Sequence, residues 1–537
     1  MLEIKDCPCL SGIPISHLLW ADDLILLALT PEAAQKQLNI LAKFCNDWGI
    51  EVNQSKTKVV TFGGSDNSNT EPKFYLQSKL LENVDSYCYL GIDLHKSGEL
   101  RSAQDSLKSK AMRAFFGLKR TIIRSKISFK ASAILFDSLI KPIVLYGAPI
   151  FTPTSAIMKT IVHNIKTNKP FTKNFLPKVS RSPSEKVHLS FLKWALGVHR
   201  KSSNVGVWGE TGRYPLAYQA IRLTLKFYKR LQNLSDSTFA KAALYDQKAY
   251  KLPWFNNIEQ LAKLDEIYNL DCVTAHRILT SKNKDISPSS ISSCYPSLDS
   301  LANLRTDKPL QSKKFRVEAV MKILTKKFIQ SWEDGKSSSN KLSFYNIIKQ
   351  KFAREPYLDC SKGFAHRYYT TQLRISAHDL HIETGRYSNT ERDQRTCHWC
   401  NTSMGVGTVE CERHFLFECD MYASLREKLT RRLNTFSLDS NTSPLISNNG
   451  ALRENLMHLL SPYTLDNLNE ADTNKFNTHH KNVLYSTHDT EAHKQHQSYI
   501  INCICSFICN AFKTRLKYNK SIRENIVLPS VFSINLN

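Results

Sequence analysis

Asp22 and Asp23 stand side by side between two apolar runs, Leu18-Leu19-Trp20-Ala21 and Leu24 to Leu29. Adjacent carboxylates repel, and a divalent cation offsets that repulsion. Mg²⁺ takes hard oxygen ligands and is normally shared between protein carboxylates and substrate phosphates. In phosphoryl transfer such ions activate an attacking hydroxyl and stabilise the leaving oxygens. An Asp-Asp dipeptide alone marks a surface turn, so the metal reading depends on its surroundings. A second reactive group lies far downstream. Cys397, Cys400, His414 and Cys419 have the spacing Cys-x2-Cys-x13-His-x4-Cys. Three thiolates and one imidazole favour Zn²⁺ in a closed, four-ligand structural site with no open position for water. His398 and Cys411 compete as ligands within the same stretch and rank behind His414.

The elements that must position the acidic pair are legible from pattern. The flanking apolar runs are too short for helices, so they predict two short buried strands joined by a tight acidic turn. Thr30 can cap a helix with Pro31 in its first turn. Leu38, Leu41, Ala42 and Cys45 recur at helical spacing, and Gly49 can end the helix. Asn53, Lys56 and Thr57 then precede a strand from Val59 to Phe62.

The chain has 537 residues, 42% of them hydrophobic and 23% charged. That composition excludes a wholly disordered chain, a coiled coil and a collagen-like fibre. Fourteen cysteines are too sparse for a disulfide scaffold. No signal peptide is evident, and the best membrane-span candidate, residues 131–150, is broken by Asp137, Lys141 and Pro142. A nuclear or cytoplasmic protein with no membrane partner is expected. The formal net charge is +25, which points to a polyanionic partner. Residues 1–100 carry 8 basic and 13 acidic side chains, whereas residues 101–200 carry 19 and 3. That second block is a candidate electrostatic footprint. Within it Lys108, Lys110, Arg113, Lys119 and Arg120 fall on a predicted helix, where long stems cover apolar surface while the heads reach phosphates.

The same shifts suggest boundaries at residues 1–95, 96–160, 161–300, 301–432 and 433–537. The first segment reads as α/β. Residues 101–160 read as helices broken by Pro142 and Gly147, and 161–190 as an exposed linker. Helices are expected from His188 to Leu196, Ala217 to Leu231, Phe315 to Trp332, Leu342 to Phe352 and Ser498 to Tyr518. A serine- and proline-rich linker spans residues 281–300, and 433–485 is polar with little periodicity. Trp194 and Tyr214 are expected in the core, as are Cys503, Cys505 and Cys509 on the last helix.

Taken in order, His17-Leu18-Leu19-Trp20-Ala21-Asp22-Asp23-Leu24-Ile25-Leu26-Leu27-Ala28, the helix, and Asn53-Gln54-Ser55-Lys56-Thr57-Lys58-Val59-Val60-Thr61-Phe62 resemble the reverse transcriptase of non-LTR (LINE-type) retrotransposons. The resemblance implies that the Asp-Asp hairpin lies in a polymerase palm. Asp22 is then the Mg²⁺ ligand and Asp23 its partner, with Lys56 near the incoming nucleotide's phosphates. Tyr89, Leu90 and Gly91, followed by Ile92, look like the hairpin that grips the primer. Residues 133–147 resemble the family's thumb. Residues 185–198, Ser203-Asn204 and 209–215 resemble the region after it. Further on, Lys341-Leu342, Tyr345, Glu355, Tyr357-Leu358, Leu373-Arg374, His378, Glu383, 385–387, 412–419, Tyr422 and Arg426 resemble the C-terminal region of these elements. The implied fold is α+β: a partial polymerase palm, a mostly helical thumb, and a helical C-terminal region with a small zinc-knuckle-like module.

Two departures stand out. Trp20 replaces the family's usual Tyr or Phe before Ala-Asp-Asp. In addition, only 21 residues precede Asp22, and their one aspartate, Asp6 in Asp6-Cys7-Pro8-Cys9, resembles no palm strand. The endonuclease, the fingers and the first palm half, with its catalytic aspartate, are absent from the sequence. The expectation is therefore a fragment of an RNA-directed DNA polymerase, inactive alone. Its implied partners are an RNA template, a DNA primer, their RNA–DNA hybrid and deoxynucleoside triphosphates, with Mg²⁺ and Zn²⁺ as metals. The alternative is a non-enzymatic nucleic-acid-binding remnant that uses the basic thumb and the zinc knuckle.

Overall fold

A computed structural model describes residues 6–63, 72–122, 126–151, 157, 160, 161, 175–264, 316–360, 363–438 and 491–524. The fold is mostly α-helical with small open β-sheets. The expected linker at 281–300 and nearly all of the polar stretch 433–485 lie outside the described residues. No helix among those described is long and apolar enough to cross a membrane. The chain forms two compact units, one of Met1–Arg113, Pro142–Glu185 and Leu216–Phe328, the other of Ala114–Lys141, Lys186–Pro215 and Ile329–Asn537.

Among the described residues the first unit holds ten short strands: β1 (Cys9–Leu10), β2 (Ile13–Pro14), β3 (His17–Trp20), β4 (Asp23–Leu26), β5 (Lys58–Val59), β6 (Tyr75–Leu76), β7 (Lys79–Leu80), β8 (Glu82–Asn83), β9 (Ser86–Tyr89) and β10 (Ile92–His95). They form five two-stranded sheets, four antiparallel and one parallel (β5 with β8). Helix α1 (Pro31–Trp48) starts as its sequence dictates. Thr30 accepts a hydrogen bond from the Ala33 amide at 3.2 Å, and Gly49 closes the helix in the left-handed region at φ 63°. Leu38 of α1 joins Phe74, Leu76 and Leu81 in a buried cluster against which Leu26, Leu41, Ala42 and Val59 pack. The strand expected over Val59–Phe62 is shorter and earlier.

Helix α2 (Arg101–Thr121) comes next, then α3 (Phe129–Leu135) and a π-helical turn, Phe136–Ile140. Pro142 occupies the first turn of helix Lys141–Val144 rather than ending a helix. Within the first unit, helix Ala148–Phe151 is anchored where Thr224 and Trp254 donate to the carbonyls of Ala148 and Pro149. The expected exposed linker at 161–190 is corrected over its described end. Helix Phe175–Ser180 and the start of helix Pro183–Leu196 are built there, with Phe175 and Val179 fully buried. Ser182 caps the second of these by accepting from the Glu185 amide, so serine and proline mark a helix start rather than a linker.

The second unit is organised around buried charge. Arg374 donates from Nε to Glu210 at 2.9 Å and reaches Glu355 from Nη2 at 3.0 Å. Lys349 pairs with Glu355, Tyr357 donates to Glu210 at 2.5 Å, and Tyr345 donates to the Gly206 carbonyl. Glu210, Lys349, Glu355 and Arg374 are each at most 2% exposed. Two acids balance two bases, as charges removed from water require. Gly209 is obligatory beside them, because a Cβ there would stand 2.4 Å from Tyr345 Oη and 2.7 Å from the Trp332 ring. Trp194 lies in the core against Phe115 and Phe191, as expected.

Candidate acidic turn and metal centre

Strands β3 and β4 pair as a hairpin, with His17 opposite Leu26 and Trp20 opposite Asp23. Ala21 and Asp22 form the two-residue loop. Ala21 has φ 53° and Asp22 does not share a positive φ, the sign pattern of a type II′ turn. Asp22 projects from the loop, Asp23 opens β4, and both are exposed. The hairpin matches its expected position, but its burial does not. Leu19 and Trp20 are each 66% exposed, and Leu18 and Leu24 exceed a third. Among the described residues no third strand pairs with the hairpin, and its Leu26 end packs against the core of Leu38, Phe74, Leu76 and Leu81. Two carboxylates are what Mg²⁺ takes from a protein when phosphates and water fill its other positions. No third Asp, Glu, His or Cys among the described residues joins them in a ligand group. Asp6 lies at the open end of the hairpin, where its carbonyl accepts from the Leu29 amide.

Lys56 is exposed in a turn that Asn53 organises, the amides of Lys56 and Thr57 both donating to the Asn53 carbonyl at 3.1 Å. Tyr89, Leu90 and Gly91 form the β9–β10 turn, with Leu90 and Gly91 both at positive φ (46° and 80°), as a type I′ turn requires. Two further groups brace this turn. Lys110 Nζ donates to the Gly91 carbonyl at 3.3 Å, and Tyr146 Oη donates to the Leu90 carbonyl at 2.8 Å. Lys110 therefore holds the turn rather than standing free on the surface of α2. Sequence reasoning missed Tyr146, since nothing local marks it as a partner of residues more than fifty positions earlier. Lys108 is half-buried and lies 3.7 Å from Asp105, while Arg113, Lys119 and Arg120 are exposed.

Cys397, Cys400, His414 and Cys419 converge, all buried, with their ligand atoms within 4.8 Å of one another. Cys397 caps helix His398–Met404, which brings Cys400 round one turn, and its amide donates to the Thr408 carbonyl at 2.7 Å. His414 and Cys419 bracket a π-helical turn. The separations are 3.9 Å from Cys397 Sγ to Cys419 Sγ, 3.8 Å from Cys400 Sγ to Cys419 Sγ, and 3.4 Å from Cys400 Sγ to His414 Nε2. A tetrahedral zinc with Zn–S bonds of about 2.3 Å sets its sulfurs about 3.8 Å apart. His414 Nδ1 makes no hydrogen bond and faces the Glu418 carboxylate at 3.7 Å, the side from which an acid orients a ligand imidazole. Without a cation the thiols conflict. The Cys397 thiol is drawn down to about 3, chiefly by the hydrogen bond from Cys419. Cys400 is pushed up to about 11 by burial, and Cys419 is raised mainly by that same bond with Cys397. The geometry settles the competition: Cys411 lies outside the group, and the His398 ring turns away to bond Tyr518 Oη at 2.9 Å.

Residues 4–94 match the family model described as reverse transcriptase (RNA-dependent DNA polymerase). A transposon-derived protein of Caenorhabditis elegans is 31% identical over 151 residues, 28% of this chain and 54% of that protein. The chain thus spans about half the length of that relative. The hairpin, α1 and the β9–β10 turn all lie within or at the edge of the matched residues. The chain carries a reverse-transcriptase-like domain at its start and is related, at that level, to the reverse transcriptases and transposon-derived proteins.

Proposed function

We propose that the chain is part of an RNA-directed DNA polymerase of the non-LTR retrotransposon kind. In this reading residues 1–95 are a partial palm, 96–160 a thumb, 161–300 a connector and 301–432 a C-terminal region with a structural zinc knuckle. The observation that carries it is the acidic pair at the tip of a two-residue hairpin loop inside the reverse-transcriptase match. Asp22, with Asp23 beside it, would hold Mg²⁺, whose chemistry there is activation of the primer hydroxyl and stabilisation of the leaving oxygens. Lys56 would neutralise phosphate charge on the incoming nucleotide, and Tyr89, Leu90 and Gly91, braced by Lys110 and Tyr146, would position the primer end. Arg113, Lys119 and Arg120 would meet the backbone of an RNA–DNA hybrid without reading sequence. The working compartment in this reading is the nucleus or the cytoplasm.

The chain by itself is expected not to polymerise. Two carboxylates on one exposed turn do not fix a metal pair, and misplacement by about 1 Å costs a factor of about 100 in rate. Primer extension on an RNA template with Mg²⁺, for the wild type and Asp22→Asn, tests this. No product from either is expected. Extension that vanishes in the variant would sink the inactivity, whereas extension that persists would remove Asp22 from the metal role. The exposed cations of α2 favour the second reading, a binding protein without catalysis, for which salt-sensitive hybrid binding and no extension is the signature.

A further inference from the structure

The last described helix, Glu491–Arg523, divides its charges sharply. Arg515 is buried and bound on both sides, donating to Glu410 at 2.9 and 2.8 Å and reaching Asp379 at 3.3 Å. Lys513, Lys517, Lys520 and Arg523 are all exposed. At 100° per residue these four fall within about 120° of one another, and they span about 15 Å of helix. No acidic residue occurs between Glu491 and Arg523. Glu524 comes directly after, 3.7 Å from Lys520.

The opposite face fixes this ridge in place. Phe512 stacks on Tyr369 with ring centroids 5.2 Å apart and lies 4.6 Å from Phe415. Tyr518 packs against Trp399 at 5.1 Å and bonds His398, both of which sit between the zinc-type ligands Cys397 and Cys400. The Cys/His module and the helix are therefore one packed body, and the exposed basic residues run along the outer side of that packed stretch. The charges are preorganised on a rigid rod instead of on a flexible tail.

We infer that Lys513, Lys517, Lys520 and Arg523 form a binding surface for the phosphate backbone of nucleic acid, presented by the Cys/His module. The inference rests on the proposed nucleic-acid function and deepens it. It moves the contact from the knuckle, whose ligands are buried, to the helix docked on it. A strand of duplex offers about one phosphate per 3.4 Å of axis, so the ridge has the length to meet about four. An anionic membrane fits less well. A surface-bound helix buries a continuous apolar face in the lipid, and here that face is mostly covered by Tyr369, Phe415 and Trp399, which leaves Leu516 and Ile522 as separate exposed apolar side chains.

The test uses the full chain with Lys513→Glu, Lys517→Glu, Lys520→Glu and Arg523→Glu together. The probe is a short fluorescein-labelled RNA–DNA hybrid, titrated at several NaCl concentrations. The expected result is a Kd weaker by about tenfold or more, and a slope of log K against log salt reduced by about 3–4, with zinc content unchanged. The four neutral replacements Lys→Gln and Arg→Gln should lower the slope similarly, which guards against misfolding of the reversed variant. Unchanged Kd and slope would overturn the inference. So would weakening confined to an Arg113→Glu, Lys119→Glu, Arg120→Glu control, which would leave the general reading standing. Failure of the wild type to bind the hybrid would remove both, and ridge-dependent binding to phosphatidylserine vesicles without hybrid binding would reassign the surface to lipid.

Discussion

Asp137 shows how one side chain ties a helical turn to a distant loop. Arg213 grips both its carboxylate oxygens, at 3.1 and 2.5 Å, and Lys141 stands 3.0 Å away one turn on. Burial would raise its pKa, but the Arg213 hydrogen bonds and charge, with Lys141, outweigh that and hold it below the usual carboxylate range. A depressed folded value contributes stability that is present above the unfolded value, near 4, and is lost as pH falls through the folded one. Asp137→Asn should therefore flatten the acid limb of the stability curve. Urea midpoints measured from pH 6 to 3 check this, and a variant whose midpoint tracks the wild type throughout would show that Asp137 carries none of it. Asp137 and Arg213 stand 76 positions apart in two stretches the sequence singled out, and their contact gives both stretches a structural role.

Elements of the second unit meet through the buried Glu210–Arg374–Glu355–Lys349 group. Helix Asn204–Thr211 supplies Glu210, helix Phe364–Arg374 supplies Arg374, and the segment after helix Ser343–Ile348 supplies the rest. Removing one partner leaves a charge buried without compensation. Arg374→Met should cost about 3–5 kcal/mol in unfolding free energy. Adding Glu210→Leu should recover part of that loss, since the double variant no longer strands Glu210; a purely additive double variant would count against the network. Elements also show where local pattern was sufficient. Helix α1 was legible from cap to cap, because Thr30, Pro31 and Gly49 act through neighbouring backbone. The burial of β3 and β4 was not, since an apolar strand is buried only when another element covers it.

For the molecule as a whole, the Cys/His cluster closes the module at 397–419, whose Trp399 and Phe415 pack against Tyr518 and Phe512 of the last described helix. Zinc should bind stoichiometrically, and chelation at neutral pH should lower the melting midpoint by several degrees, because a ligand held only by the folded form stabilises it by mass action. Cys400→Ser should reproduce that shift without chelator and show a reduced zinc content. A midpoint indifferent to both would make the four ligand atoms core thiols and an ordinary histidine. The excess of positive charge acts at this scale too, since a net charge of +25 draws polyanions over distances on the order of the Debye length.

The sequence by itself determined the acidic hairpin turn, the capped helix behind it and the Cys/His spacing. Each depends on residues a few positions apart, where turn geometry and helical period are fixed by local backbone chemistry. The hairpin turn and the helix behind it lie within residues 4–94, which match the family model of reverse transcriptases. Only the tertiary structure decided that His414 rather than His398 or Cys411 completes the cluster, because ligand choice depends on which side chains converge after the chain has folded back. It likewise decided that Lys110 and Tyr146 brace the β9–β10 turn. Glu210, Lys349, Glu355, Tyr357 and Arg374, with no local rationale, became one buried network because charges taken out of water must find partners, however distant in sequence.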